Sequence, residues 1–379
     1  MKKCIVVSDS FKGTLSSSEI CEIAQRVIPP FFPEAQLITI PMADGGEGTV
    51  DCLISALGAR PVTVTVSGPY TEDVEASYAL YGGSAIIEMA SCAGLPLVGS
   101  RKNPALTTTF GVGELISHAL SMGAKHIFLG LGGSATNDGG CGCVAALGVE
   151  FFNAAGTSFI PCGATLKDIA RADFSKAREK LKGVGITVMC DVENPLFGPQ
   201  GAAYVFGPQK GADEEMVRLL DEGLVNLNNV IRSSTGYDMA NVKGAGAAGG
   251  MAAGVIAFLG GTICPGIDAI LALTGFEKQL EGADMVISGE GRLDSQSFSG
   301  KVISGVSRRT MEKGVPLYLI VGTDETSGED LSSLGISAVF ETNRSHLPFE
   351  EIAPYAEPDY ASALEALMRY VKIQERRLN

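Results

Sequence analysis

The chain has 379 residues, 45% of them hydrophobic and 19% charged, and its formal net charge at pH 7 is −14. That length allows two or three domains with a sizeable core. A strongly acidic chain without a basic cluster is a poor match for nucleic acid or an anionic membrane, so a phosphate-bearing ligand would need local compensation from backbone N–H groups, helix N-termini, a few Lys or Arg, and a metal ion.

The opening forty residues predict a βαβ unit. Cys4 to Val7 form an apolar strand, and Ser16 and Glu19 stand at capping-box spacing, with Leu15 and Ile20 as a hydrophobic staple. Ile20, Ile23, Ala24 and Val27 then share one helical face, which Pro29 and Pro30 close. A second strand covers Leu37 to Met42, and a second helix carries Val50, Leu53, Ile54 and Leu57 up to Gly58. From Pro61 the pattern alternates, and three runs ending near Met89 read as an antiparallel meander. Further along, Val112 to Ala119 is helical, His126 to Leu131 and Ile186 to Cys190 are strands, and Val217 to Ile231 is a long helix. The end returns to the opening style, with strands at Asp284–Ser288, Pro316–Val321 and Ile336–Phe340, a helix after Lys301, and a last helix near Ala361–Tyr370. The fold class predicted is α/β: a doubly wound, flavodoxin-like parallel-sheet domain built from both chain ends (residues 1–60 and 283–379), with an inserted α+β domain (residues 61–282). A sheet order of 2-1-3-4-5 would place ligands at the carboxyl ends of the strands flanking the topological switch point.

The nine Cys are odd in number and scattered, and of the three His (His118, His126, His346) none sits at ligand spacing. The thiols read as small buried residues of a reducing cytosol, and zinc is not expected. The first residues hold too short an apolar run for a signal peptide, no stretch reaches uninterrupted transmembrane length, and a cytoplasmic location is expected.

Three loops gather ionisable residues among glycines at predicted strand ends: Asp9-Ser10-Phe11-Lys12-Gly13, Ala43-Asp44-Gly45-Gly46-Glu47-Gly48 and Gly289-Glu290-Gly291-Arg292-Leu293-Asp294. Capped turns account for any one of them; three at neighbouring strand ends point to a site. The run GLGGSATNDGG, Gly130 to Gly140, follows a strand and precedes a helical stretch, the arrangement of an anion cradle, with a tight turn capped by Asn-Asp as the alternative. It is not a Walker A loop, and protein-kinase signatures are absent. Gly244, Gly246 and Gly249 match G-x-G-x-x-G, but the preceding YDMANVK is no apolar strand, so a dinucleotide site is not expected; close helix packing is the competing account of these glycines. Asp191, at the end of a strand beside an Asn-Pro turn, reads as a magnesium ligand, a general base or a cap.

Taken together, DSFKGTL (Asp9–Leu15), ADGGEGT (Ala43–Thr49), GLGGSATNDGG, CDVENPLFG (Cys190–Gly198), FGPQKGA (Phe206–Ala212), GAGAAGG (Gly244–Gly250) and GEGRLDSQS (Gly289–Ser297) resemble the bacterial glycerate kinase family, in family order over nearly the whole chain. The resemblance implies a two-domain ATP:glycerate phosphotransferase with its active site in an interdomain cleft, typically forming 2-phosphoglycerate. On that footing ATP and Mg²⁺ are the expected cofactors and glycerate the expected small-molecule partner. Phosphoryl transfer needs an aligned hydroxyl, neutralised phosphate charge and a proton acceptor. Gly132, Gly133, Ser134, Asn137 and Asp138 are candidates for the ATP phosphates, and Ser10, Lys12, Asp44 and Arg292 for the substrate. Asp191, Lys12 and Asp294 are the catalytic candidates, with Asp191 and Glu290 as metal ligands; which carboxylate is the base stays open. A kinase for another small hydroxy acid and a non-catalytic ATP-binding regulator are the alternative functions.

Overall fold

The computed structural model describes the chain apart from residues 43–49, 51–53, 55–56, 295–296, 298–301, 327–330 and 379. It divides into two units, Met1–Asp44 with Asp51–Gly58 and Ile267–Asn379, and Gly45–Val50 with Ala59–Gly266. Strands β1 (Lys3–Ser8) and β2 (Gln36–Pro41) open the first unit. The second unit holds β3 (Arg60–Ser67), β4 (Asp73–Tyr81), β5 (Ser84–Glu88), β6 (His126–Gly130), β7 (Glu150–Phe152), β8 (Ser158–Phe159), β9 (Arg171–Asp173), β10 (Gly185–Met189) and β11 (Thr262–Cys264). The chain then returns to the first unit with β12 (Met285–Leu293), β13 (Leu317–Asp324) and β14 (Ile336–Glu341).

The first sheet runs β14-β13-β12-β1-β2, and every pairing is parallel. Counted by its own strands, this is the 2-1-3-4-5 order of the doubly wound fold the sequence predicts. Its first helix, Ser17–Val27, begins as expected: Ser16 Oγ accepts the N–H of Glu19 at 3.2 Å, and Glu19 accepts the N–H of Ser16 at 2.8 Å. Ile20, Ile23, Ala24 and Val27 pack with Tyr360, Leu364, Leu367 and Met368 of the final helix, Ala356–Leu378, over Cys4, Val6, Met285 and Ile287 of the sheet. Ile5 and Val7 alternate to the other face and are equally buried. Each such side chain contributes about 1.5–3 kcal/mol on leaving water. Residues 267–282 fall in this unit, although the sequence reading drew the boundary at 283: Arg309 of the helix Val302–Lys313 reaches both Asp268 (2.9 Å) and Glu277.

The sequence reading ended the strand at Ser288 and treated Gly289–Asp294 as a loop, whereas β12 continues to Leu293, with Glu290 opposite Val321 and Arg292 opposite Thr323 on β13. The glycines permit it. A Cβ on Gly289 would lie 1.8 Å from the Ile320 carbonyl oxygen, and one on Gly322 would lie 2.1 Å from that of Gly291. The expected second helix, around Val50 to Leu57, lies largely outside the described residues.

The second unit is built on a six-stranded sheet, β11-β10-β6-β5-β4-β3. The predicted meander is present as β3, β4 and β5, but β5 also pairs in parallel with β6, which fuses the meander to a parallel half. A small antiparallel sheet, β8-β7-β9, escaped the sequence reading because its two- and three-residue strands are too short to show a period. Helix Glu214–Thr235, capped by Asp213 on the N–H of Met216 and ended by left-handed Gly236, buries the predicted stripe Val217, Leu220, Leu224, Leu227 and Ile231. Among the described residues no helix is long and apolar enough to cross a membrane.

Gly289→Ala is expected to destabilise the protein by about 3 kcal/mol or more, since the clash is with strand backbone and not with a movable side chain. Chemical denaturation of the variant beside the parent checks this.

Candidate active site

At the carboxyl ends of β1, β12 and β13 the first unit opens a cleft of about 570 Å³, within the range of small-molecule sites. Its formation follows from the strand ends. β1 is tied to β12 by the Asp9 N–H and the Ser8 hydroxyl, both donating to the Gly289 carbonyl at 2.9 and 3.0 Å. The chain then turns through Phe11–Leu15, with Gly13 left-handed at φ +82°. The cleft brings together Asp9, Ser10 and Lys12 from this turn with Glu290, Arg292 and Asp294 from the end of β12, so six residues that the sequence placed near the switch point do share one wall. Glu290 is only 8% exposed. Arg292 lies 3.2 Å from Asp294 and 3.6 Å from Glu325, yet its side chain is 63% exposed, so these ion pairs orient it without neutralising it in a dry interior. Asp9 accepts the Ser10 N–H at 2.7 Å. Asp44 and its glycine-rich loop lie outside the described residues.

The glycine run Gly130–Gly140 belongs to the second unit, as does Asp191. Gly132 and Gly133 are exposed, whereas Ser134 through Gly140 are buried. Asp138 does not fit the role of a phosphate contact. Its fully buried carboxylate accepts the N–H and hydroxyl of Thr109 (both 2.8 Å) and the N–H groups of Gly140 (3.0 Å) and Gly142 (3.2 Å). The helix Cys141–Ala146 that was expected to offer its N-terminus to an anion thus already has a carboxylate there. Asn137 is also fully buried, and its Oδ1 and Nδ2, with Thr136 Oγ1, lack hydrogen-bond partners among the described residues. Buried polar atoms of this kind call for an explanation such as a ligand.

Sequence reasoning assigned no role to Lys210, which lies inside the FGPQKGA block. Its ammonium is buried and donates to Ser134 Oγ at 2.8 Å and to the Thr136 carbonyl at 2.7 Å, holding the glycine run from beneath. Burial lowers its pKa to about 7, opposed by the charge of Asp138; burial in turn raises the Asp138 carboxyl, against the pull of its four donors. The GAGAAGG block packs on the same run: a Cβ on Gly249 would meet the Thr136 carbonyl at 2.1 Å, and Ala248, Gly249 and Gly250 are all left-handed. Close packing is thus the account of these glycines, and no strand precedes them. Asp191 lies exposed two residues beyond the end of β10, and its Oδ1 accepts the Gly266 N–H at 2.9 Å.

Among the described residues no group of three or more His, Cys, Asp or Glu converges as a metal cage. The oxygen-only character of Asp9, Glu290 and Asp294 suits a hard cation that takes one or two carboxylates and completes its shell from phosphate and water.

A doubly wound sheet with two cations, Lys12 and Arg292, and four carboxylates, Asp9, Glu290, Asp294 and Asp359, in its switch-point cleft is the frame of an α/β enzyme. The glycerate kinase family model matches residues 4–372. A glycerate kinase of Bacillus cereus is 46% identical over 94% of this chain and 94% of its own length, and a glycerate 2-kinase of Escherichia coli is 42% identical over 89% and 90%. A crystal structure of a Salmonella typhimurium LT2 protein assigned as glycerate kinase 2 superposes with a TM-score of 0.87 at 38% identity, covering 99% of both chains. This chain belongs to the glycerate kinase family.

The Lys210 shift has a consequence for stability. Between its folded value of about 7 and the ordinary 10.5, the unfolded chain keeps a proton that the folded protein has released, so this group makes stability rise with pH across that window. Lys210→Met removes the contribution. Guanidinium midpoints taken between about pH 6.5 and 8.5 are expected to climb more steeply for the parent than for the variant.

Proposed function

We propose that the protein transfers the terminal phosphoryl group of ATP to the 2-hydroxyl of glycerate, giving 2-phosphoglycerate and ADP. The observation that carries this reading is the cleft in which Lys12 and Arg292 stand with Asp9, Glu290 and Asp294. In an acidic chain with a net charge of −14, Lys12 and Arg292 supply positive charge for anionic reactants, and the carboxylates beside them suit a metal ion that accompanies the phosphates. Family membership supports glycerate as the acceptor, and the Escherichia coli relative, a glycerate 2-kinase, supports the 2-position.

In this reading the acceptor hydroxyl attacks the γ-phosphorus, the bond to the β–γ bridging oxygen breaks, and the hydroxyl proton passes to a carboxylate. Lys12 and Arg292 offset the charge of the transferring group, with Arg292 held in place by Asp294 and Glu325. Ser10 is the proposed hydroxyl contact to the substrate. Mg²⁺, when bound with ATP, neutralises phosphate charge, and Glu290 is the proposed protein ligand. Among residues of the second unit, the exposed Gly132–Gly133 turn, Ser134 and Asn137 are the proposed phosphate contacts and Asp191 the proposed general base. Asp294 is the alternative base, because it already lines the cleft.

A coupled assay with Mg·ATP and D-glycerate is expected to show glycerate-dependent ADP release, and phosphorus–proton coupling in the product is expected to report a phosphate at C2. Folded protein that binds ATP but releases no ADP with glycerate would exclude this acceptor. Asp191→Asn keeps an oxygen acceptor for the Gly266 N–H while removing the charge. Turnover is expected to fall by about 10²–10⁴-fold with an unchanged melting temperature. Near-parental turnover would pass the base role to Asp294.

A further inference from the structure

The composition leaves few groups able to hold a purine: aromatic residues make up 7% of the chain, and there is no Trp. Two aromatics nevertheless line the cleft of the first unit: Phe11, which is buried at 5% exposure, and Phe349, which is 51% exposed and leaves its ring accessible from the cleft. One side of the Phe349 ring is fixed. A Cβ on Gly13 would come within 3.0 Å of Phe349 Cζ, so the ring leans directly on the glycine of the DSFKGTL turn. Gly13 is also left-handed, so two independent constraints reserve that position for glycine. Leu347, 46% exposed, and Ile352 flank the ring on the same cleft. The cleft therefore offers the apolar side chains Phe349, Leu347 and Ile352 as well as the cations Lys12 and Arg292, with Asp359 also on its lining. Its volume of about 570 Å³ far exceeds what a three-carbon acid fills.

We propose that Phe349 is the platform on which the adenine ring of ATP stacks, with Leu347 and Ile352 enclosing the base and the phosphates directed toward Lys12 and Arg292. This rests on the ATP dependence proposed above, and it assigns the adenine base to the first unit. A planar base offers a π-face to the ring, and the polyphosphate supplies the charge that the two cations match. Glycerate has the charge but nothing to cover Phe349.

The test uses the whole chain and ADP in the absence of glycerate. Phe349→Trp introduces a single indole into a protein that has none. Its fluorescence is expected to change saturably with Mg·ADP, to be competed by ATP, and to ignore glycerate alone. Phe349→Ala is expected to weaken ADP binding in calorimetry roughly tenfold and to raise the KM for ATP in proportion, with the KM for glycerate within about twofold of the parent. Parental ADP affinity in Phe349→Ala, or an indole silent to ADP while calorimetry registers binding, would overturn the assignment. The two readings fail separately. ADP binding through Phe349 without glycerate turnover would sink the acceptor and leave this site standing. Glycerate phosphorylation by a protein whose affinity for ADP is indifferent to position 349 would do the reverse.

Discussion

The parallel pairing of β1 with β12 is the constraint on which the first unit depends. It sets Cys4 beside Met285 and Val6 beside Ile287, partners about 280 residues apart in the chain. These are the central strands of the sheet, buried on both faces, and the ligand cleft opens at their carboxyl ends. The entropy of closing so long a loop grows only as the logarithm of its length, so an inserted unit of this size adds little to the closure term beyond what a shorter connection would. What holds the pairing is local: the hydrogen bonds from Ser8 and Asp9 to Gly289, and apolar contacts from helices drawn from both ends of the chain. The same contacts aim Asp9 and Lys12 at Glu290 and Arg292.

Much of the first unit was legible because each local signal agreed with the tertiary outcome. The capping box at Ser16 and Glu19, the apolar stripe from Ile20 to Val27 and the short buried strands all mean in the structure what they mean in the sequence. The 2-1-3-4-5 order followed from chain ends that read alike. The extension of β12 was hidden, since Gly-Glu-Gly-Arg has no strand propensity; only the neighbouring backbone shows that Gly289 is required for close approach. Asp138 was misread for a related reason. An acidic residue in a glycine-rich run looks the same in one dimension whether it faces a ligand or caps a helix. The four donors that settle the matter come partly from Thr109, far away in sequence. Lys210 and Phe349 carried no signal of their own, because burial of a lysine and exposure of a phenylalanine are facts of packing.

The second unit handles polarity differently. Its glycine run is tied by two buried charges, Asp138 accepting from backbone and Lys210 donating to it, around a Ser134–Thr136 segment with little room to move. Removing Asp138 leaves the Thr109, Gly140 and Gly142 donors unsatisfied, and removing Lys210 does the same to Ser134 and the Thr136 carbonyl, so such arrangements are most costly when half complete.

Discontinuity of the first unit also sets an order of events on the ribosome. The helix Ser17–Val27 emerges early, but the residues that cover its apolar face, Tyr360, Leu364, Leu367 and Met368, are translated last. The whole of Ala59–Gly266 is made in between, an interval of about 10–40 s at roughly 5–20 residues per second. The inserted unit has all its strands outside the exit tunnel long before its host can close, so the nascent chain carries a finished domain beside an uncovered amphipathic helix. Until the last helix is made, the apolar face of Ser17–Val27 lacks the side chains that cover it in the folded protein.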